Sequence, residues 1–318
     1  MKPTIILVAA LAVIICGIAV WTYLKPPEAL SPDALAARYD TPLSPPNDPL
    51  TVYHLGHSLV GRDMPAMLAQ MAGHLHASQL GWGTPLKAHW EPNTPINGFD
   101  AENAHDHFRD AKKALASGDY DAFILTEMVE IEAAIDHFAS PRYVARWARA
   151  ARDGNPGIRV YLYESWHELT DPQGWLTRLD ADPARYWEGV LLARAMSTEP
   201  DAPPIYVIPA GRVMAEFTRR IEAGDGVDGV TSREDLFARK EDGSLDPIHL
   251  NDLGAYLVAL THYAVLYHDS PVGLPAQLNR ADGTPAKAPG PQLAELMQQT
   301  VWDVVSRVPV TGISQGAK

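Results

Sequence analysis

The chain has 318 residues, which at roughly 100–200 per domain allows one large domain or two small ones, either able to bury a core. A hydrophobic share of 46% with 20% charged residues excludes collagen, coiled coil and wholesale disorder. The 26 basic residues against 39 acidic ones leave a net charge of −13, a surplus that opposes polyanion binding, so nucleic acid is not expected as a partner.

Residues 4–24, from Thr4 to Leu24, carry no charge. At about 1.5 Å per residue a helix of that length matches a hydrocarbon core of roughly 30 Å, so residues 1–24 are read as an N-terminal membrane anchor or uncleaved signal. The run ends in Trp21, Tyr23 and Lys25, which favour an interface over a cleavage site. The lone cysteine, Cys16, follows Ile15 in mid-run, which disfavours lipidation, and by itself it cannot close a disulfide. Lys2 and the terminal amine tip the orientation toward a cytoplasmic N-terminus and an exported body, in a bacterial periplasm or at the cell surface. Residues 25–50 contain seven prolines and are expected to form an extended, semi-rigid spacer.

From Thr51 onward, short apolar runs alternate with amphipathic stretches. Strands are expected at Thr51–Leu55, Lys87–Trp90, Ala122–Leu125, Arg159–Tyr163 and Ile205–Ile208. Helices are expected at Met64–Ala77, Glu102–Ala116, Pro141–Arg152, Pro183–Met196 and Val213–Ala223, with others near Asn251 and over Gln292–Val305. Gly224–Leu245 reads as a loop. The alternation predicts an α/β fold, a three-layer αβα sandwich on a five-stranded parallel sheet, forming one domain over 51–310 with a flexible tail at 311–318. Ligands of such sheets bind beyond the C-terminal strand ends.

The first strand runs into Gly56-His57-Ser58-Leu59 and then a helix. Ser58 there would project over the sheet with helix amides supplying positive potential, although a serine before a helix is commonly an N-cap. Far downstream, Asp246-Pro247-Ile248-His249 offers an imidazole and a carboxylate able to hold its tautomer; the alternative is a turn and a cap. The fourth strand ends in Glu164-Ser165-Trp166-His167-Glu168, where Trp166 could face a sugar ring and Glu164 or His167 its hydroxyls, or Trp166 could simply cover the sheet edge. His74/His76 and His105/His107 are spaced by two, about 200° apart on a helix, so neither pair makes a bidentate metal site there. The chain has neither a His-Glu-x-x-His motif nor a phosphate loop, and no metal or other cofactor is expected.

The Gly56-His57-Ser58-Leu59 and Asp246-Pro247-Ile248-His249 blocks at the two ends of one α/β domain resemble the SGNH, or GDSL-like, hydrolase superfamily. The resemblance spans Thr51 to about His268 and implies a flavodoxin-like sheet and acyl transfer through an acyl-serine. Ser58 would be the nucleophile, His249 general base and acid, and Asp246 its orienting partner. For the oxyanion hole the resemblance implies the Ser58 amide and a glycine after the second strand, here Gly98, with Gly81 and Gly83 as weaker choices. The family's third block ends in an asparagine, whereas this chain has Thr126-Glu127. Glu127 could carry a raised pKa, point at a substrate hydroxyl, or stand aside while Asn97 or another side chain completes the hole; the last two are favoured. The expectation is a serine esterase cleaving O-acyl, chiefly O-acetyl, groups of an uncharged carbohydrate ester. An O-acyltransferase of envelope polysaccharide with the same triad and a non-catalytic polysaccharide-binding envelope protein are the alternatives. Oligomeric state is left open.

Overall fold

The structure is a computed structural model and describes residues 27–314. The expected anchor, with Cys16, lies outside the described residues. No described helix is long and apolar enough to cross a membrane.

Five parallel strands form the central sheet in the order β2-β1-β3-β4-β5: β1 Thr51–His57, β2 Leu75–Gly81, β3 Ala122–Leu125, β4 Arg159–Glu164 and β5 Ile205–Pro209. Their residues are almost continuously buried, as strands covered on both faces require. Helices Asp63–Ala72, Ala210–Glu222, Asp252–Tyr267 and Pro291–Val305 pack together as one layer. Ala111–Ser117, Ser140–Gly154 and the Pro183–Leu192 π-helical stretch with Ala193–Ser197 form the other. The order in which strands are laid down reverses between β1 and β3, and the crevice beyond a reversal of this kind is where open α/β sheets hold ligands.

Four expected strands have their counterparts in β1, β3, β4 and β5; the second does not. Lys87–Trp90 lies in a one-turn helix, Leu86–Trp90, and the sheet edge is made instead by Leu75–Gly81. Helix Asp63–Ala72 stops at Gly73, whose φ of 66° is the left-handed cap that a glycine supplies without strain. The segment after it, Leu-His-Ala-Ser-Gln-Leu-Gly, is too polar to announce a strand, and among the strands of the sheet it pairs with β1 alone, with one bridge from Ser78 to Phe108 on its outer side. The expected helix Glu102–Ala116 is two: Phe99–Asn103 and Ala111–Ser117. Asn103 breaks it, because its side chain accepts from the Leu80 amide and donates to the Leu80 carbonyl.

Two further expectations are corrected. Residues 27–50 are not a free spacer: Leu35, Tyr39 and Leu50 are buried, the Tyr39 hydroxyl donates to the Ile205 carbonyl at 2.6 Å, and Arg38 bonds the Ala202 carbonyl. At the other end, Val310, Thr311 and Ile313 are buried, and the Gly312 carbonyl accepts from the Leu43 amide, so 311–313 is packed and not a tail.

β1 and β3 meet closely at Gly56, where a Cβ would lie 2.5 Å from Thr126 Cγ2 and 3.1 Å from Val60 Cγ2. Gly56→Ala is therefore expected to destabilise the protein by about 1–3 kcal/mol in denaturant melts. Adding Thr126→Ser, which deletes that methyl and keeps the hydroxyl that donates to the Tyr163 carbonyl, should recover part of the loss. Additive losses in the double variant would contradict this packing account.

Candidate active site

Ser58 follows β1 directly, in a turn closed by the Val60 amide donating to the His57 carbonyl. Helix Asp63–Ala72 starts five residues later with Arg62 at its N-cap, so Ser58 does not cap it. Its Oγ lies 3.0 Å from His249 Nε2. His249 Nδ1 lies 3.0 Å from Asp246 Oδ2, and since a carboxylate only accepts, Nδ1 carries the proton and Nε2 is free to accept from Ser58. Asp246 Oδ1 accepts from the Ile248 and His249 amides at 3.0 Å each. Partial burial raises the Asp246 pKa, but these amides and the His249 ring outweigh it and hold the carboxyl below its ordinary value.

Asp246 and His249 do not sit in a loop. They lie on β7, Leu245–Leu250, which pairs antiparallel with β6, Phe237–Arg239. Asn251 locks this hairpin to the helix that follows. Its amide side chain donates to the Asp235 and Phe237 carbonyls, and its Oδ1 accepts from the Leu253 and Gly254 amides.

A cleft of about 650 Å³ opens above Ser58 and His249, walled by Trp82, Gly83, Glu102 and Val129, with Arg62 and Asp63 at its rim. Trp82 was not anticipated from the sequence. It is 52% exposed, and its indole N–H donates to Glu102 Oε1 at 2.7 Å. It follows the true second strand directly, so the signal was Gly81-Trp82-Gly83, hidden because that strand was placed elsewhere.

Several expected site residues are not brought to the cleft. Gly98 stands behind Trp82: with φ +67°, a Cβ on it would lie 2.2 Å from the indole, and the Asn97 carbonyl accepts from the Trp82 amide at 2.7 Å. The pair seats the tryptophan, and Gly83, not Gly98, lines the cleft. Trp166 is buried, and its N–H donates to the Ile248 carbonyl at 2.8 Å, bracing the strand that carries His249. Glu164 is buried under helix Ala210–Glu222, accepting from the Arg212 amide at 3.1 Å with the Arg212 guanidinium 2.9 Å away; burial pushes its carboxyl up. His167 is buried, with Nε2 2.9 Å from Asp182 Oδ2.

Glu127 does not face substrate either. It is fully buried, and its Oε1 accepts from the Leu86 amide at 3.1 Å and the Met128 amide at 2.8 Å. Burial pushes its carboxyl up to about 7, against the opposing pull of those amides. Its backbone carbonyl accepts from His57 Nε2 at 2.8 Å, and His57 Nδ1 accepts from the Leu59 amide. Burial holds His57 neutral, with its pKa lowered to about 4. On the other side, His89 Nε2 donates to the Gly56 carbonyl at 2.9 Å while Nδ1 accepts from the Gln79 amide. The backbone around Ser58 is thus held by two neutral imidazoles, His57 and His89. Among the described residues no three His, Cys, Asp or Glu side chains converge as metal ligands.

No protein-family model and no curated protein matches the chain. Among solved structures, it is similar to a DUF4886 family protein from Bacteroides uniformis ATCC 8492, at 15% identity and a TM-score of 0.51, over 82% of this chain and 96% of that one. A carbohydrate esterase family 2 enzyme with a carbohydrate-binding domain from Corynascus thermopiles (Myceliophthora fergusii) also aligns, at 12% identity and a TM-score of 0.29, over 41% and 49% of the two chains. The first of these likenesses bears on the α/β fold.

Glu127 gives a pH prediction. A carboxyl raised from 4.5 to about 7 on folding contributes stability that is complete below pH 4.5 and lost as pH rises through 7. At about 1.4 kcal/mol per tenfold change in proton affinity, the loss is on the order of 3 kcal/mol. Glu127→Gln removes it, so relative to wild type the variant should gain about that much between pH 4 and pH 8 in urea melts. Parallel pH profiles of the two proteins would refute a carboxyl that titrates there.

Proposed function

We propose that the protein is a serine esterase that cleaves O-acyl groups, chiefly O-acetyl, from a carbohydrate through an acyl-serine. The observation that carries this reading is the hydrogen-bonded relay from Ser58 through His249 to Asp246 at the floor of the cleft. As His249 Nε2 takes the hydroxyl proton, Ser58 Oγ attacks the ester carbonyl carbon. The tetrahedral species collapses, the alcohol leaves with the proton from His249, and the acyl group stays on Ser58. Water, deprotonated by His249, then attacks the acyl-serine, and Ser58 Oγ leaves with the proton returned by His249 as the acid is released. Asp246 remains ionised throughout and stabilises the imidazolium.

The oxyanion donors on this reading are the backbone amides of Ser58 and Gly83, since the residue at the family's asparagine position is the buried Glu127. Exposed Trp82 offers an apolar face to a sugar ring. An acyltransferase would use the same first half-reaction, with a sugar hydroxyl replacing water. We place the domain on the exported side of a membrane, held by residues 4–24.

Ser58→Ala should lower kcat on 4-nitrophenyl acetate by at least about 10³-fold and abolish labelling by a fluorophosphonate probe. Asp246→Asn should also lower kcat, because the amide no longer fixes the His249 tautomer. Full activity in Ser58→Ala would remove the nucleophile assignment, and glycan binding without labelling of the wild type would favour a non-catalytic binding protein.

A further inference from the structure

Beside the cleft lies a second cavity of about 360 Å³, and Arg62 and Asp63 belong to the walls of both. Its wall includes His76, His105 and His107, three of the four histidines whose spacing has no meaning on a helix. β2 carries His76 and Ser78, and the loop after Asn103 returns so that His107 stacks on His76, ring centroids 4.2 Å apart and planes 14° from parallel. His107 Nδ1 lies 3.2 Å from the His76 carbonyl, and the Ser78 amide donates to the His107 carbonyl at 3.0 Å, which fixes the pair.

Two polar side chains at this cavity are unspent, Ser78 and Arg62. Ser78 is only 4% exposed, yet among the described residues its hydroxyl makes no hydrogen bond. The Arg62 guanidinium likewise makes neither hydrogen bond nor ion pair among the described residues, although the residue lines both cavities. The charge there is balanced: Arg62 and Arg280 against Asp63 and Asp282. Arg280 is already paired with Asp252. Asp63 accepts from the Ala281 amide and Asp282 from Thr284. A balanced ring has no net preference for an anion, whereas a hydroxyl, a guanidinium and imidazole edges in one pocket suit a ligand that is donor and acceptor at many positions.

We infer that this cavity is a second glycan subsite, holding a neutral sugar residue next in the chain to the one whose ester lies over Ser58, so that the substrate is an oligosaccharide or polysaccharide. Arg62 bridges the two units at the rim, and Ser78 and His107 bond the hydroxyls of the distal one. Both cavities fall in the size range of small-ligand sites. The inference rests on the esterase reading for the position of the ester, and on the cavity alone for the glycan.

The test assays the full chain, in mild detergent, on mono-acetylated xylo-, manno- and cello-oligosaccharides of one to four units. On at least one backbone KM should fall about tenfold between one unit and three, with little change in kcat, as two or three added hydrogen bonds would give. Arg62→Ala and His107→Ala, both at exposed side chains, should each remove most of that fall. A KM independent of chain length on all three backbones, or a dependence that survives both substitutions, overturns the subsite. Failure of the esterase reading looks different: no turnover of 4-nitrophenyl acetate and no labelling of Ser58. In that event calorimetric titration with the three unacetylated tetrasaccharides reads the cavity directly. Binding weakened about tenfold by His107→Ala retains the subsite, and no binding removes it.

Discussion

The packing of helix Asp63–Ala72 against helix Asp252–Tyr267 is the contact on which the site depends. Ser58 lies five residues before the first helix and His249 three residues before the second. Laying the two helices side by side, with buried Met64, Met67 and Leu68 on one and Leu253, Leu257 and Leu260 on the other, brings their starts together. A hydroxyl and an imidazole 191 positions apart in sequence meet as a consequence of apolar burial. A later loop fastens the same ends: the Ala281 amide donates to Asp63, Arg280 makes a forked pair with Asp252, and Gln70 exchanges two bonds with Asn279.

Beneath Ser58 the protein uses polar groups as structural parts. His57, His89, Gln79 and Glu127 are all buried, and each bonds the backbone or another of the set. Such groups cost desolvation, which bonded partners offset. Burial keeps both imidazoles neutral, with pKa values lowered to about 4, so they fix geometry without placing charge beneath Ser58. Glu127, pushed up to about 7 by burial, differs from them in taking on charge near neutral pH.

What the sequence disclosed follows from how much chemistry a short segment can hold. β1, β3, β4 and β5 were legible because buried parallel strands are continuous apolar runs. β2 was not, since an edge strand of His, Ala, Ser and Gln carries no such signature, and its misplacement displaced the choice of glycine from Gly83 to Gly98 and hid Trp82. Ser58, Asp246 and His249 were singled out because the two short blocks that carry them, one after the first strand and one before the late helix, together resemble those of a known hydrolase superfamily. Trp166, Glu164 and His167, and the outcome in which Glu127 meets a substrate hydroxyl, were misread for one reason: strand-end position fixes where a residue stands but not which way its side chain turns. Trp166 turns to the Ile248 carbonyl, Glu164 to Arg212 and His167 to Asp182, each inward.

The packed segment 27–50 has a mechanical consequence. Leu30 bonds the Ala193 carbonyl, Tyr39 the carbonyl at the start of β5, and Leu50 leads directly into β1, all at the end of the sheet opposite Ser58. A pull applied through residue 27 is therefore borne by that far pole, passing into Ala193–Ser197 and β5 before it can reach the reactive pair. Whatever the upstream residues are joined to, its drag loads the base of the domain and leaves the mouth of the cleft unloaded.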